Sequence, residues 1–229
     1  MTSVIQVGII GGGGKLGKAA TAWIGECPDL RFVGAVGPDE DWQTLGDADV
    51  VLEVTRAGLG HTHGMRLLKM GLRPVIGTSG VSQEQTLDLD RISRRAGLGG
   101  IVIPNFSLGM LAMRRSLSSA MQFFSEAFIT EAHGARKADA PSGTARELCE
   151  ILDLSSDEVV SVRVDGLTAA HEVRLKAACD ELVLRHESLG PESFKSGVLA
   201  SIRYAATAQG ISSGLEVVLA EACKLQPGP

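Results

Sequence analysis

Through the first hundred positions, apolar residues fall in short, nearly unbroken runs separated by glycines and by stretches of helical periodicity. Val4 to Ile10 is the first such run; rich in β-branched residues, it predicts a strand buried on both faces. Arg31 to Val36, Asp49 to Val54, Pro74 to Gly77 and Gly100 to Pro104 predict four more. Between them, Lys18 to Ile24, His61 to Met70 and Gln83 to Ala96 predict helices, the second carrying Met65, Leu68 and Met70 and stopped by Gly71. Strands alternating with helices mean a parallel sheet with crossover helices.

After Asn105 the pattern changes. Leu108 to Phe124 predicts one long helix, and Phe128 to His133 alternates, so that Ile129, Glu131 and His133 share one strand face. Ala145 to Leu152 predicts a helix with Leu148, Ile151 and Leu152 on one side. Val159 to Leu167, Ala170 to Ala177 and Glu181 to Ser188 predict strands, Ser196 to Ala208 a helix, and Gly214 to Cys223 a last apolar segment that returns to the first domain. The fold class expected is α/β: a Rossmann-type nucleotide-binding domain of residues 1–106 plus 207–229, and an α+β substrate-binding and oligomerisation domain of residues 107–206.

Composition narrows the partners. The chain has 229 residues, 44% hydrophobic and 21% charged, with a net charge of -5. That balance exerts no overall pull toward nucleic acid or acidic membranes, so an anionic substrate needs local cations. Cys27, Cys149, Cys179 and Cys223 form no Cys-x-x-Cys pair, and His61 and His63, two apart, make a poor ligand pair on a helix. No metal is expected. No apolar stretch is long enough to span a bilayer, the first residues lack the marks of a signal peptide, and the expectation is a cytoplasmic protein with reduced thiols. Arg114-Arg115 reads as a solvated helix face, and Trp23 and Trp42 read as packing residues.

Candidate chemistry begins in the loop after the first strand. Gly11, Gly12, Gly13, Gly14, Lys15, Leu16 and Gly17 satisfy both G-x-G-x-x-G and G-x-x-G-x-x-G. Without side chains the backbone approaches a pyrophosphate closely, and the helix start supplies N–H groups and partial positive charge. The second predicted strand runs into Gly37-Pro38-Asp39-Glu40-Asp41. An acid here, Asp39 foremost, accepts from a ribose 2′-hydroxyl and repels a 2′-phosphate, favouring NADH over NADPH. Lys15 remains available to a phosphate as the alternative.

Residues 131 to 145 are the densest chemistry in the chain: Glu-Ala-His-Gly-Ala-Arg-Lys-Ala-Asp-Ala-Pro-Ser-Gly-Thr-Ala. His133 titrates near neutral pH and suits proton donation. Lys137 is a fixed cation for a carboxylate. Ser142, Gly143 and Thr144 stand at a predicted helix start, where hydroxyls and N–H groups bind oxyanions. Asp139 holds the loop or orients Lys137.

This segment resembles the signature of the dihydrodipicolinate reductases, now called 4-hydroxy-tetrahydrodipicolinate reductases, of lysine and diaminopimelate biosynthesis. Other segments agree in order: Gly11-(x2)-Gly14-Lys15-Leu16-Gly17, Gly77-Thr78-Ser79-Gly80, Pro104-Asn105-Phe106-Ser107-Leu108-Gly109, and then Arg163, Gly166, His171, His186, Phe194 and Gly197. The resemblance implies NAD(P)H-dependent reduction of a small dicarboxylate, with His133 as proton donor and Lys137 assisting protonation and binding a carboxylate. It further implies that Gly143 and Thr144 hold a carboxylate, and that residues 11–16, Gly77, Thr78, Ser79, Pro104, Asn105, Phe106 and Ser107 line the cofactor. A cytoplasmic homotetramer is also implied. The chain departs from the family pattern at Gly134, where a second histidine is common, at Leu111, at Pro191 and at Glu53-Val54. Two alternatives therefore stand beside the main reading: a related imine or amino-acid reductase of different substrate, and a non-catalytic NAD-binding assembly or regulatory protein.

Overall fold

The computed structural model describes residues 3–37, 40–135 and 137–224. In chain order its elements are β1 (Ile5–Ile10), α1 (Lys15–Gly25), β2 (Leu30–Val36), β3 (Val50–Glu53), α2 (Gly60–Lys69), β4 (Arg73–Ile76), α3 (Gln83–Arg95) and β5 (Gly99–Val102). There follow α4 (Leu108–Ala120), β6 (Glu126–His133), α5 (Gly143–Leu152), β7 (Val160–Arg163), β8 (Ala169–Lys176), β9 (Glu181–Ser188), α6 (Lys195–Thr207), β10 (Gly210–Ser213) and α7 (Leu215–Lys224). They form two compact units, Met1–Phe106 with Phe194–Pro229, and Ser107–Ser193.

The first unit is a six-stranded parallel sheet in the order β10-β5-β4-β3-β1-β2. Every residue of β3 and β5 is buried, as the unbroken apolar runs of a sheet covered on both faces require. Order inside each crossover is local chemistry. Ser82 and Gln85 close a reciprocal capping box on α3, and Gly71 leaves α2 at φ +80°, which only glycine adopts freely.

The chain returns to this unit at Phe194, earlier than the expected return near Thr207. The reason is α6, whose Val198, Ile202 and Ala205 are fully buried and which packs on β3, β4 and β5. Each large aliphatic side chain buried this way contributes about 1.5–3 kcal/mol. Arg203 Nε and Nη2 add a bidentate pair with Asp29 at 2.7 and 2.9 Å.

The second unit is a four-stranded sheet in the order β7-β6-β8-β9, with β6 and β7 parallel and the other pairs antiparallel. Helices α4 and α5 cover one face through a core of Met110, Met113, Leu117, Ile129, Leu148, Leu152, Val173 and Leu175. The opposite face leaves Phe128, Val160, Val162 and Val183 exposed, alongside Glu172–Arg174, Glu172–Arg185 and Arg185–Glu187 ion pairs. Strand β7 is shorter than the expected Val159 to Leu167, because Gly166 turns the chain at φ +79°.

Candidate active site

In the first unit, the turn between β1 and α1 is built by glycines that cannot carry a side chain. A Cβ on Gly17 would meet the Gly11 carbonyl oxygen at 2.3 Å, and one on Gly12 would meet Ala35 Cβ at 2.5 Å. At Gly13 a Cβ would meet nothing within 4 Å, so that position faces open space. Helix α1 starts at Gly14 with no side-chain cap, leaving its first N–H groups for an anion. Beside it lies a cavity of about 390 Å³, lined by Gly14, Lys15, Leu16, Val54, Thr55, Ala57, Gly77, Thr78, Ser79 and Pro104. A glycine cradle, an uncapped helix start and an adjoining cavity fit a dinucleotide.

A buried polar group braces one of the residues that line this cavity. Glu53, fully buried at the end of β3, accepts from the Thr55 hydroxyl and from Thr55 N, and pairs with His63 Nδ1 at 3.0 Å. Thr55 N also donates to Thr78 Oγ1 at 3.1 Å. The His63 ring meets Trp42 edge-on at 5.0 Å, and Trp42 carries Arg66 on its face. Two residues that line the cavity, Thr55 and Thr78, are thus fixed by one another and by Glu53.

In the second unit, pleat and register assemble the chemistry. On the helix-covered face the row through Ile129 and Val173 is apolar; two residues further along, the cross-strand row is Ser161, Glu131, His171 and His186, one residue from each strand. Glu131 is fully buried. It accepts from Ser142 N at 3.2 and 3.1 Å and from the Ser161 hydroxyl at 2.8 Å. Arg163 Nη1 lies 3.5 Å from one carboxylate oxygen, and His133 Nδ1 lies 3.3 Å from the other. The two histidines of the row each hold a serine that caps a helix: His171 Nε2 with Ser142 Oγ at 3.2 Å on α5, and His186 Nε2 with Ser107 Oγ at 3.0 Å on α4.

Electrostatics follow from this crowding. Burial is the largest effect on His133 and holds it below the ordinary histidine value; Glu131 opposes, while Lys137 and Arg163 add to the lowering. His171 is pushed down to about 4, first by burial and then by His133, whose ring it meets edge-on at 5.2 Å. Burial raises the Glu131 carboxyl, but hydrogen bonds from Ser142 and Ser161 outweigh it, and the net direction is down. Lys137 pairs with Asp139 at 2.8 Å and holds that carboxyl below its ordinary value.

The expected residues do not all share one place. Gly14, Lys15, Leu16, Gly77, Thr78, Ser79 and Pro104 line the first unit's cavity. Phe106 is buried instead, and a Cβ on Gly77 would meet its ring at 2.5 Å. Ser107 belongs to the second unit as the cap of α4. Asp39 lies outside the described residues. In the second unit, Gly143 is exposed and Thr144 half-buried at the start of α5. Ser142 sits beneath them with its amide on Glu131 and its hydroxyl between Ala145 N and His171. Ligand atoms of Glu131, His133 and His171 lie within 4.8 Å of one another, close enough to share an ion. Arg163 and Lys137, both acting on this cluster, set a positive field against one.

Comparison with known proteins decides the family. The family model described as Dihydrodipicolinate reductase, N-terminus, matches residues 5–106, and its counterpart, Dihydrodipicolinate reductase, C-terminus, matches residues 109–219. The chain belongs to the dihydrodipicolinate reductase family. Within it, the 4-hydroxy-tetrahydrodipicolinate reductase of Lactococcus lactis subsp. cremoris is 30% identical over 250 residues, covering 93% of this chain and 96% of the relative. The enzyme of the same name from Prochlorococcus marinus is 33% identical over 196 residues, 75% of this chain and 69% of its own. Among solved structures, the dipicolinate-bound dihydrodipicolinate reductase from Paenisporosarcina sp. TG-14 superposes with a TM-score of 0.78 at 26% identity, over 93% of this chain and 99% of that one. Membership makes the chain an NAD(P)H-dependent oxidoreductase.

Several residues of this dihydrodipicolinate reductase family member take a place at the site that its sequence does not announce. Val54, Thr55 and Ala57 line the cavity, and Glu53, paired with His63, holds Thr55. Glu131 and Ser161 anchor the second unit's polar row. A buried acid two residues before His133 on the same strand face was the available signal for Glu131. Ser161 became visible only through the β6–β7 register.

Proposed function

We propose that the chain reduces 4-hydroxy-tetrahydrodipicolinate to tetrahydrodipicolinate with NAD(P)H, in lysine and diaminopimelate biosynthesis. One observation carries the reading at the site: a buried proton donor, His133, stands beside a buried carboxylate that also anchors the start of α5. A dihydronicotinamide bound in the first unit supplies the hydride. His133 delivers the proton, with Glu131 stabilising its charged form. Lys137 exchanges Asp139 for a substrate carboxylate. Gly143 and Thr144 hold the second carboxylate at the start of α5; a Cβ on Gly143 would meet nothing within 4 Å, so the space above that helix end is open. Ser142 shapes this terminus from below. A small dicarboxylate is also what the Paenisporosarcina relative binds.

NADH is the preferred donor in this reading. The loop after β2, residues 37–45, carries three acids and neither arginine nor lysine for a 2′-phosphate. The enzyme works as a cytoplasmic homo-oligomer, a tetramer by family resemblance. The exposed Phe128, Val160, Val162 and Val183 of the open sheet face support association.

The test is NADH and NADPH oxidation with substrate made in situ from pyruvate and aspartate semialdehyde by a coupled synthase. Turnover with higher kcat/KM for NADH is expected. Dinucleotide binding without turnover would overturn the assignment, and a higher kcat/KM for NADPH would overturn the cofactor preference.

A further inference from the structure

One buried carboxylate contacts His133, the start of α5 and β7 in the second unit, and reaches the Lys137 loop through Arg163. Glu131 holds α5 through Ser142 N and β7 through the Ser161 hydroxyl. It stands 3.3 Å from His133 on its own strand and 3.9 Å from His171 Nε2 on β8. His133 Nδ1 is buried and makes no hydrogen bond among the described residues, so its link to Glu131 is one of charge and proximity. Arg163, 3.5 Å from Glu131, reaches the other way: its Nε donates to the Lys137 carbonyl at 3.2 Å and its Nη2 to the Asp139 carbonyl at 2.6 Å. The loop bearing Lys137 therefore hangs on the same ion pair as His133 and the α5 terminus.

We propose that Glu131 is the counter-ion and positioning residue for His133, and that the Glu131–Arg163 pair sets His133, Lys137 and the start of α5 from one buried point. The inference rests on His133 acting as the proton donor. A donor must be recharged between turnovers, and an imidazolium in this pocket faces Lys137 and Arg163 as well as the neutral His171. Glu131 supplies the opposing charge at closest range; Asp139 assists from the loop. Ser142 and Ser161 keep the Glu131 carboxylate ionised so that it can do so.

The sign is fixed by which form works. Activity requires charged His133, so kcat falls as pH rises through the donor's pKa. Glu131→Gln keeps the shape and removes the charge, and this falling limb moves to lower pH by about one unit or more. At the wild-type midpoint a one-unit shift lowers the rate roughly fivefold. Arg163→Gln removes an opposing cation, so the limb moves to higher pH while KM for the substrate rises through the loosened Lys137 loop. Opposite shifts in the two variants are the expected result. An unchanged limb in both, or shifts of the same sign, would overturn the proposal, because a merely structural role scales the rate equally at all pH values. Should Glu131→Gln fail to fold, the direction of the limb in Arg163→Gln decides alone. A wild-type rate in His133→Ala would overturn the donor reading itself; a dead His133→Ala with unmoved limbs would overturn only the counter-ion role.

Discussion

The Ser142 hydroxyl caps α5 and, at 3.2 Å, engages the Nε2 of His171. This places a neutral histidine under a helix start, where a charged one would oppose the partial positive end of the helix. Burial first, and then the neighbouring His133, pushes His171 down to about 4, against an ordinary histidine near 6.5.

Stability should follow that depressed value. In the unfolded chain His171 takes up a proton near pH 6.5; in the folded protein it resists until about 4. Folding therefore opposes protonation within this window, and stability falls as pH drops from about 6.5 to 4, by up to about 3 kcal/mol. His133 and His186, also lowered, act in the same direction. Thermal unfolding across this range should show Tm declining, with a flatter decline in His171→Gln. An identical slope in the variant would contradict the assignment.

The glycine loop gives a contrast within a few residues. Gly17→Ala forces a Cβ to 2.3 Å from the Gly11 carbonyl, and should destabilise the first unit by about 1–3 kcal/mol while weakening dinucleotide binding. Gly13→Ala adds a methyl to open space, so Tm should hold while Kd for the dinucleotide rises. Calorimetry and fluorescence titration of both variants separate the effects.

Removal of His63 takes a hydrogen-bond partner from the fully buried Glu53. His63→Leu should therefore cost about 1–3 kcal/mol, more than Glu53→Gln, which keeps an acceptor for the Thr55 donors. Because Thr55 and Thr78 line the cavity and share this network, the dinucleotide Kd should rise as well. Denaturant unfolding and titration of both variants check the ranking.

Gly134 stands where the family often has a second histidine. A Cβ there would come to 3.0 Å of the Leu167 carbonyl, so Gly134→His should cost on the order of 1 kcal/mol of stability, and lower Tm, through displacement of the Leu167 turn. Thermal melts of Gly134→Ala and Gly134→His should show the loss already in alanine.

The parallel sheet was legible because buried strands write themselves as apolar runs, as Val50 to Glu53 and Gly99 to Val102 do. Strand β10 was not: Gly210-Ile-Ser-Ser is short and half polar, and becomes a strand only by pairing with β5. Helix α6 was legible as a helix, but its place in the first unit depends on which sheet receives Val198 and Ile202. At the site, His133, Lys137 and the α5 start are contiguous in sequence and announce themselves. The polar row of Ser161, Glu131, His171 and His186 draws on four strands, and register alone brings it together.

The most direct test of the account is kcat of His133→Ala in the coupled reductase assay, with dinucleotide Kd measured on the same sample. A rate lower by about 10²–10⁴-fold with an unchanged Kd is the predicted result. A wild-type kcat would contradict it.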